Sequence, residues 1–214
     1  MFDCDGVVLD SNELKAEMLG RALDGEPPGM AEAFVDYYKQ NAGTSRYRLY
    51  GHYFRVMRPA DDPDAATEAA VKRYAGLLRA GYHEVAEMPG IRDLLARLRE
   101  CGVARYVNSG SDEEELRDVL AGRGLAAYFT GIFGSPRTKI ENLSRIDAVA
   151  AGAPVLVLGD ARSDMNAARE YGLDFVFVSG RTDWTEGAAH CADNGIPMIA
   201  TPDDIVGIEP LEAA

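Results

Sequence analysis

Two short stretches constrain the fold most. Val155-Leu156-Val157-Leu158 and Phe175-Val176-Phe177-Val178 are continuous, apolar and rich in β-branched or aromatic residues. Such a run offers no polar face to water, so it reads as a strand buried on both faces. Residues 103–107, 128–133 and 197–200 give three further expected strands. Helical spacing lies between them. Ile91, Leu94, Leu95 and Leu98 recur on one face, as do Leu116, Val119 and Leu120. Residues 164–171 are helical by propensity and stop at Gly172. Strands that alternate with helices imply a parallel sheet covered on both faces, a doubly wound, Rossmann-like α/β fold.

Residues 12–82 behave differently. They carry helical runs and many aromatics but no strand signal, and Pro27-Pro28-Gly29 and Asp61-Asp62-Pro63 punctuate them. Met88-Pro89-Gly90 marks the return to the sheet. The expected organisation is an α/β core domain of residues 1–11 and 83–214, with an α-helical cap domain of residues 12–82 inserted after the first strand. Residues 209–214 read as a mobile tail. Only Met1 and Phe2 precede Asp3, whereas strands usually run about 5–6 residues. Either the first strand is very short, or translation starts upstream.

Composition excludes several classes of function. The 214 residues hold 22 Lys plus Arg and 35 Asp plus Glu, a formal charge of −13. A nucleic-acid partner is not expected, because a phosphate backbone needs a basic face. A membrane span is not expected either, because no apolar run reaches about 18 residues. The N-terminus lacks the basic and apolar segments of a signal peptide. Cys4, Cys101 and Cys191 are far apart, odd in number and without a CxxC pair. That pattern suits a reduced, cytoplasmic setting without a disulfide framework or zinc site. His52, His83 and His190 are scattered and suggest no metal site. Oligomeric state stays open.

In a sheet of this kind, ligands bind at the carboxyl ends of the strands. The residues expected there are Asp3-Cys4-Asp5-Gly6, Asn108-Ser109-Gly110-Ser111, the stretch reaching Lys139, and Gly159-Asp160 followed by Asp164. Asp3, Asp5 and Asp160 at neighbouring strand ends would repel one another unless a cation stood between them. Mg²⁺ fits, since it takes oxygen ligands and is usually held by one or two carboxylates plus a substrate phosphate. Ser109 and the backbone N–H groups near Gly110 can donate to phosphate oxygens, and a helix N-terminus behind them favours an anion. Lys139 would balance the remaining charge.

In order and spacing, these motifs resemble the haloacid dehalogenase superfamily. The carriers are Phe2-Asp3-Cys4-Asp5-Gly6-Val7-Val8-Leu9-Asp10-Ser11, Val107-Asn108-Ser109-Gly110-Ser111, Lys139, and Gly159-Asp160-x-x-x-Asp164. The resemblance implies that Asp3 is a nucleophile forming an aspartyl-phosphate. It implies that Asp5 protonates the leaving alcohol and then deprotonates water. Ser109 would hold a phosphoryl oxygen and Lys139 would stabilise developing charge. Asp3, Asp160, Asp164 and the main-chain carbonyl of Asp5 would form the Mg²⁺ site. Asp5 points to phosphoryl transfer, because the dehalogenases of the fold have no alkoxide to protonate and lack this second Asp.

The cap adds Lys15 near the hinge and the run Asn41-Ala42-Gly43-Thr44-Ser45-Arg46. Its Gly-x-Ser-Arg piece is similar to the substrate loop of β-phosphoglucomutases, whose arginine grips a second phosphate. Lys15, Arg46 and Gly110 are therefore expected to bind substrate. Other readings are blander. Asp164 and Ser109 also suit helix capping, and Lys139 an exposed loop. Asp10 and Ser11 suit a turn, Cys4 suits packing, and residues 112–115 suit the acidic first turn of a helix. The expected function is a Mg²⁺-dependent phosphatase of a small phosphorylated metabolite, such as a phosphosugar. The alternatives are a phosphomutase using the same residues and a catalytically impaired binding protein on the same fold.

Overall fold

The computed structural model describes residues 1–150 and 153–207; the expected tail at 209–214 lies outside them. Among the described residues there are five strands: β1 Tyr106–Asp112, β2 Gly131–Ser135, β3 Leu156–Gly159, β4 Asp174–Val178 and β5 Met198–Ile199. β1 pairs with β2, β3 with β4, and β4 with β5, all parallel. Phe2 joins the two groups by bridging Val107 and Leu158 in parallel. Its N–H donates to the Tyr106 carbonyl at 2.8 Å, and its own carbonyl accepts from Asn108 at 2.9 Å. The central position of the sheet is thus held by a very short segment, and Asp3 follows it directly. Phe2, Val107 and Leu158 are all buried, as residues covered on both faces must be.

The expected strands shift at their edges. Residues 103–105 stay outside β1, because the Val103 N–H closes the end of the preceding helix on the Leu98 carbonyl. Ala126–Tyr128 form a 3-10 turn instead of opening a strand. β1 continues through Asn108-Ser109-Gly110-Ser111, where a loop was expected, and its register slips between Asn108 and Asp112. That irregularity re-aims the polar residues of the segment.

Four helices fill the stretch after the first motif: α1 Asn12–Arg21, α2 Met30–Gln40, α3 Arg46–His52 and α4 Pro63–Glu84. A π-helical turn, Tyr53–Met57, follows α3. The Asp62-Pro63 signal starts α4: the Asp62 carboxylate accepts from the Ala65 N–H at 3.0 Å, and Pro63 opens the helix. Aromatics hold these helices together. Phe34 lies 4.9 Å from Tyr50 and 5.3 Å from Tyr53, ring centre to ring centre. The chain returns beside its own exit, since Asp10 and Met88 donate to the carbonyls of Ala86 and Val8.

The remaining helices are α5 Ile91–Glu100, α6 Glu113–Gly122, α7 Lys139–Ala150, α8 Arg162–Glu170 and α9 Gly187–Asp193. α6 and α7 flank β1 and β2, while α8 flanks β3 and β4. α6 starts where the acidic run does. Asp112 accepts from the N–H groups of Glu114 and Glu115, each at 3.1 Å. No helix among the described residues is long and apolar enough to cross a membrane.

Candidate active site

Asp3 leaves the central segment at its carboxyl end, Asp160 follows β3, and Asp164 sits one turn into α8. All three are buried, and one carboxylate oxygen from each lies within 4.8 Å of the others. Lys139, the first residue of α7, is buried with them instead of lying on an exposed loop. Its ammonium reaches Asp3 Oδ2 at 2.8 Å and Asp164 Oδ1 at 2.6 Å. Burial, the charge of Asp3 and the charge of Asp164 hold the Asp160 carboxyl well above the usual carboxylate range. Burial and Asp3 raise Asp164 to about 7. Three carboxylates with one lysine are short of positive charge, and hard oxygen donors around such a deficit fit Mg²⁺.

The Asp5 side chain stands outside that cluster. Its Oδ2 accepts from Lys15 Nζ at 2.5 Å and from Ser111 Oγ at 2.8 Å. Its Oδ1 accepts from Ser11 Oγ at 2.6 Å and from Tyr82 OH at 2.8 Å. Burial pushes this carboxyl up, but the Lys15 charge and the bonds from Lys15, Ser11 and Ser111 outweigh it. The net effect lowers it to about 2. Lys15 in turn also donates to Ser111 Oγ. Lys15 therefore meets Asp5 directly, where the sequence suggested a substrate contact.

Two glycines permit the close approaches. Gly6 has φ +77°, and a Cβ there would meet Asp160 Oδ2 at 2.3 Å and Asn12 Nδ2 at 2.8 Å. A Cβ on Gly110 would meet the Gly43 carbonyl at 2.3 Å. The loop of residues 41–45 thus rests on the Ser109-Gly110 segment and shuts over the acids. Ser109 is buried, and its Oγ accepts from the Ser111 N–H at 3.1 Å. Arg46 is buried too, and both terminal nitrogens of its guanidinium reach Glu115 on α6.

Several participants carried no signal of their own in the sequence. Ser11, read as a turn residue, binds Asp5. Asn12 donates to Asp160 Oδ2 at 2.8 Å from 148 positions away. Tyr82, at the end of α4, reaches Asp5 across 77 positions. Glu115, read as part of the acidic first turn of a helix, holds Arg46. Asp10 pairs with Arg181 at 2.9 Å near the surface. Cys4 is fully buried.

Fold and site together define an α/β enzyme with an acid cluster and a lysine at the strand ends. Residues 1–178 match the model of the haloacid dehalogenase-like hydrolases, and the chain belongs to that family. The phosphoglycolate phosphatase of Pseudomonas putida is 29% identical over 186 residues, spanning 82% of this chain and 67% of that enzyme. The tyrosine-protein kinase PtkA of Mycobacterium tuberculosis is 26% identical over 208 residues, spanning 94% of this chain and 67% of that protein. The crystal structure of a predicted phosphatase from Clostridium acetobutylicum shares the fold, with a TM-score of 0.74 over 95% of this chain and 94% of that one, at 19% identity. The phosphatase relatives place this chain with the phosphatases of the family.

Proposed function

We propose that the chain hydrolyses a small phosphomonoester in a Mg²⁺-dependent reaction, with the phosphoryl group carried transiently on Asp3. The observation that carries this reading is the buried set of Asp3, Asp160 and Asp164 with Lys139 between two of them. Asp3, Asp160 and Asp164, with the main-chain carbonyl of Asp5, would hold the ion, which supplies charge neutralisation for the phosphoryl oxygens.

Each residue then has a physical task. An oxygen of Asp3 attacks phosphorus, and the bond from phosphorus to the ester oxygen breaks. Lys139 holds Asp3 aimed through their ion pair. The Ser109 hydroxyl and the backbone beside Gly110 bind phosphoryl oxygens. The departing alkoxide takes a proton from Asp5. Water then attacks the acyl phosphate, giving its proton back to Asp5 and restoring Asp3. As held by Lys15, Asp5 is a proton acceptor, which suits the second half-reaction. The negative charge of an arriving phosphate raises its proton affinity, which suits the first. The shut loop over Gly110 excludes bulk water from the acyl phosphate.

Release of inorganic phosphate from p-nitrophenyl phosphate and a panel of phosphorylated metabolites tests this reading. Turnover that needs Mg²⁺ and stops in excess EDTA is the expected result. Full turnover in EDTA, or none with any ester, removes it.

A further inference from the structure

A small, partly open hollow of about 40 Å³ lies between α1, the 41–45 loop, α3, α4 and the strand ends. Asp3 attacks from one side of phosphorus, so the leaving group lies on the opposite side, where Asp5 waits to protonate it. That side is lined by Lys15, Tyr38, Thr44, Arg46 and Tyr74. An anionic leaving group would need a cation here with a free hydrogen-bonding edge. Each of the two cations of this lining is already paired with a carboxylate of this chain. Lys15 donates to Asp5 and to Ser111. Arg46 spends both ends of its fork on Glu115, at 3.4 Å for one end and closer for the other, and its plane lies 4.6 Å over the Tyr74 ring. Glu115 is only 15% exposed at its side chain, so solvent screens this ion pair little.

The neighbouring acids strengthen the point. Asp112, Glu113 and Glu114 precede Glu115 on the same turn, and Asp112 also accepts from Tyr47 of α3 at 3.0 Å. Near Tyr38 stands Asp183, whose Oδ2 is buried without a hydrogen-bond partner. A carboxylate or second phosphate entering here would meet acids already seated on the cations. The remaining polar lining, Thr44 and Tyr74, offers hydroxyls, which match an alcohol's own donors and acceptors.

We infer that the substrate is the phosphate ester of an uncharged, hydroxylated alcohol, and that Glu115 sets this preference by occupying Arg46. The inference rests on the phosphatase reading and narrows its substrate class. It runs against a bisphosphate and against an ester such as phosphoglycolate, whose alkoxide leaving group carries a carboxylate. Glu115 acts through Arg46 and is a positioning residue for specificity.

The test compares glycerol phosphate with phosphoglycolate, two small esters that differ in the charge of the leaving group. Binding to the Asp3→Asn protein with Mg²⁺ is measured by calorimetry, alongside kcat/KM of the unaltered enzyme. Glycerol phosphate is expected to bind about tenfold or more tightly, and Glu115→Gln is expected to narrow that ratio by freeing the Arg46 fork. Equal or tighter binding of phosphoglycolate to the protein with Glu115 intact overturns the inference, whether or not Glu115→Gln folds. A folded Glu115→Gln protein with an unchanged ratio removes Glu115 from the role. Absence of turnover on every ester of the panel, with the binding order as expected, strikes the phosphatase reading and leaves the binding preference set by Glu115 standing.

Discussion

Five side chains converge on Asp5, Ser109 at 3.5 Å the most distant, and their balance determines when it carries a proton. Lys15 supplies the charge, while Ser11, Ser111 and Tyr82 supply further bonds. Removing Lys15 leaves burial, which favours the neutral acid. Lys15→Met should therefore shift the acidic limb of the kcat profile for acyl-phosphate hydrolysis, the step that needs Asp5 ionised, to higher pH. An unmoved limb would mean that Lys15 does not govern Asp5. At Asp3, the Asn replacement keeps shape but lacks the nucleophilic oxygen. Asp3→Asn should lose turnover while its circular dichroism stays that of the parent; substantial phosphate release from the variant would exclude the nucleophile role. Most of these residues were legible from their position after a strand. Their partners were not, because sequence spacing carries no trace of a contact such as Asn12 to Asp160, made only once the sheet has formed.

At the scale of elements, the helices of residues 12–84 depend on buried phenols and a buried phenylalanine. Burial pushes the phenols of Tyr38, Tyr50, Tyr53, Tyr74 and Tyr82 up, Tyr53 to about 12. Below their ordinary value near 10, both folded and unfolded chains keep these phenols neutral, and stability is unaffected. Above it the unfolded chain ionises first, so stability falls as pH rises toward and beyond 12. In an alkaline titration, these five of the ten tyrosines should give phenolate absorbance only in a cooperative step together with loss of helix. A gradual rise near pH 10 with helix intact would contradict their burial. Phe34, between Tyr50 and Tyr53, should cost about 3–5 kcal/mol on change to Ala, read from denaturant midpoints. The aromatic content of this segment announced its helices. The extension of β1 into Ser109-Gly110-Ser111 was not announced, because these small polar residues show no apolar alternation. Nor was α7, where Leu143 and Ile146 bury against the core but make too short a pattern to stand out.

For the whole molecule, the proposed site would link stability to Mg²⁺. Bringing three buried carboxylates together is unfavourable until positive charge joins Lys139 among them. Mg²⁺ at about a hundredfold over its Kd adds about 2.7 kcal/mol, which should raise Tm by roughly 5–10 °C in a domain of this size. Asp160→Asn should abolish most of that rise, and a Tm indifferent to Mg²⁺ would place the ion elsewhere. The doubly wound sheet was readable as a whole because its inner strands are apolar on both faces. The closing of the 41–45 loop over Gly110 was not, since it depends on two glycines meeting across 67 positions, from 43 to 110.

Asp3 as the carrier of the phosphoryl group is the central claim, and its most direct test is a rapid acid quench of the enzyme during turnover of a radiolabelled phosphomonoester with Mg²⁺, followed by peptide mapping. The label should appear on the N-terminal peptide, localise to Asp3 and be removed by hydroxylamine, as an acyl phosphate is. Steady turnover with no label on that peptide, or label on another residue, would contradict the account.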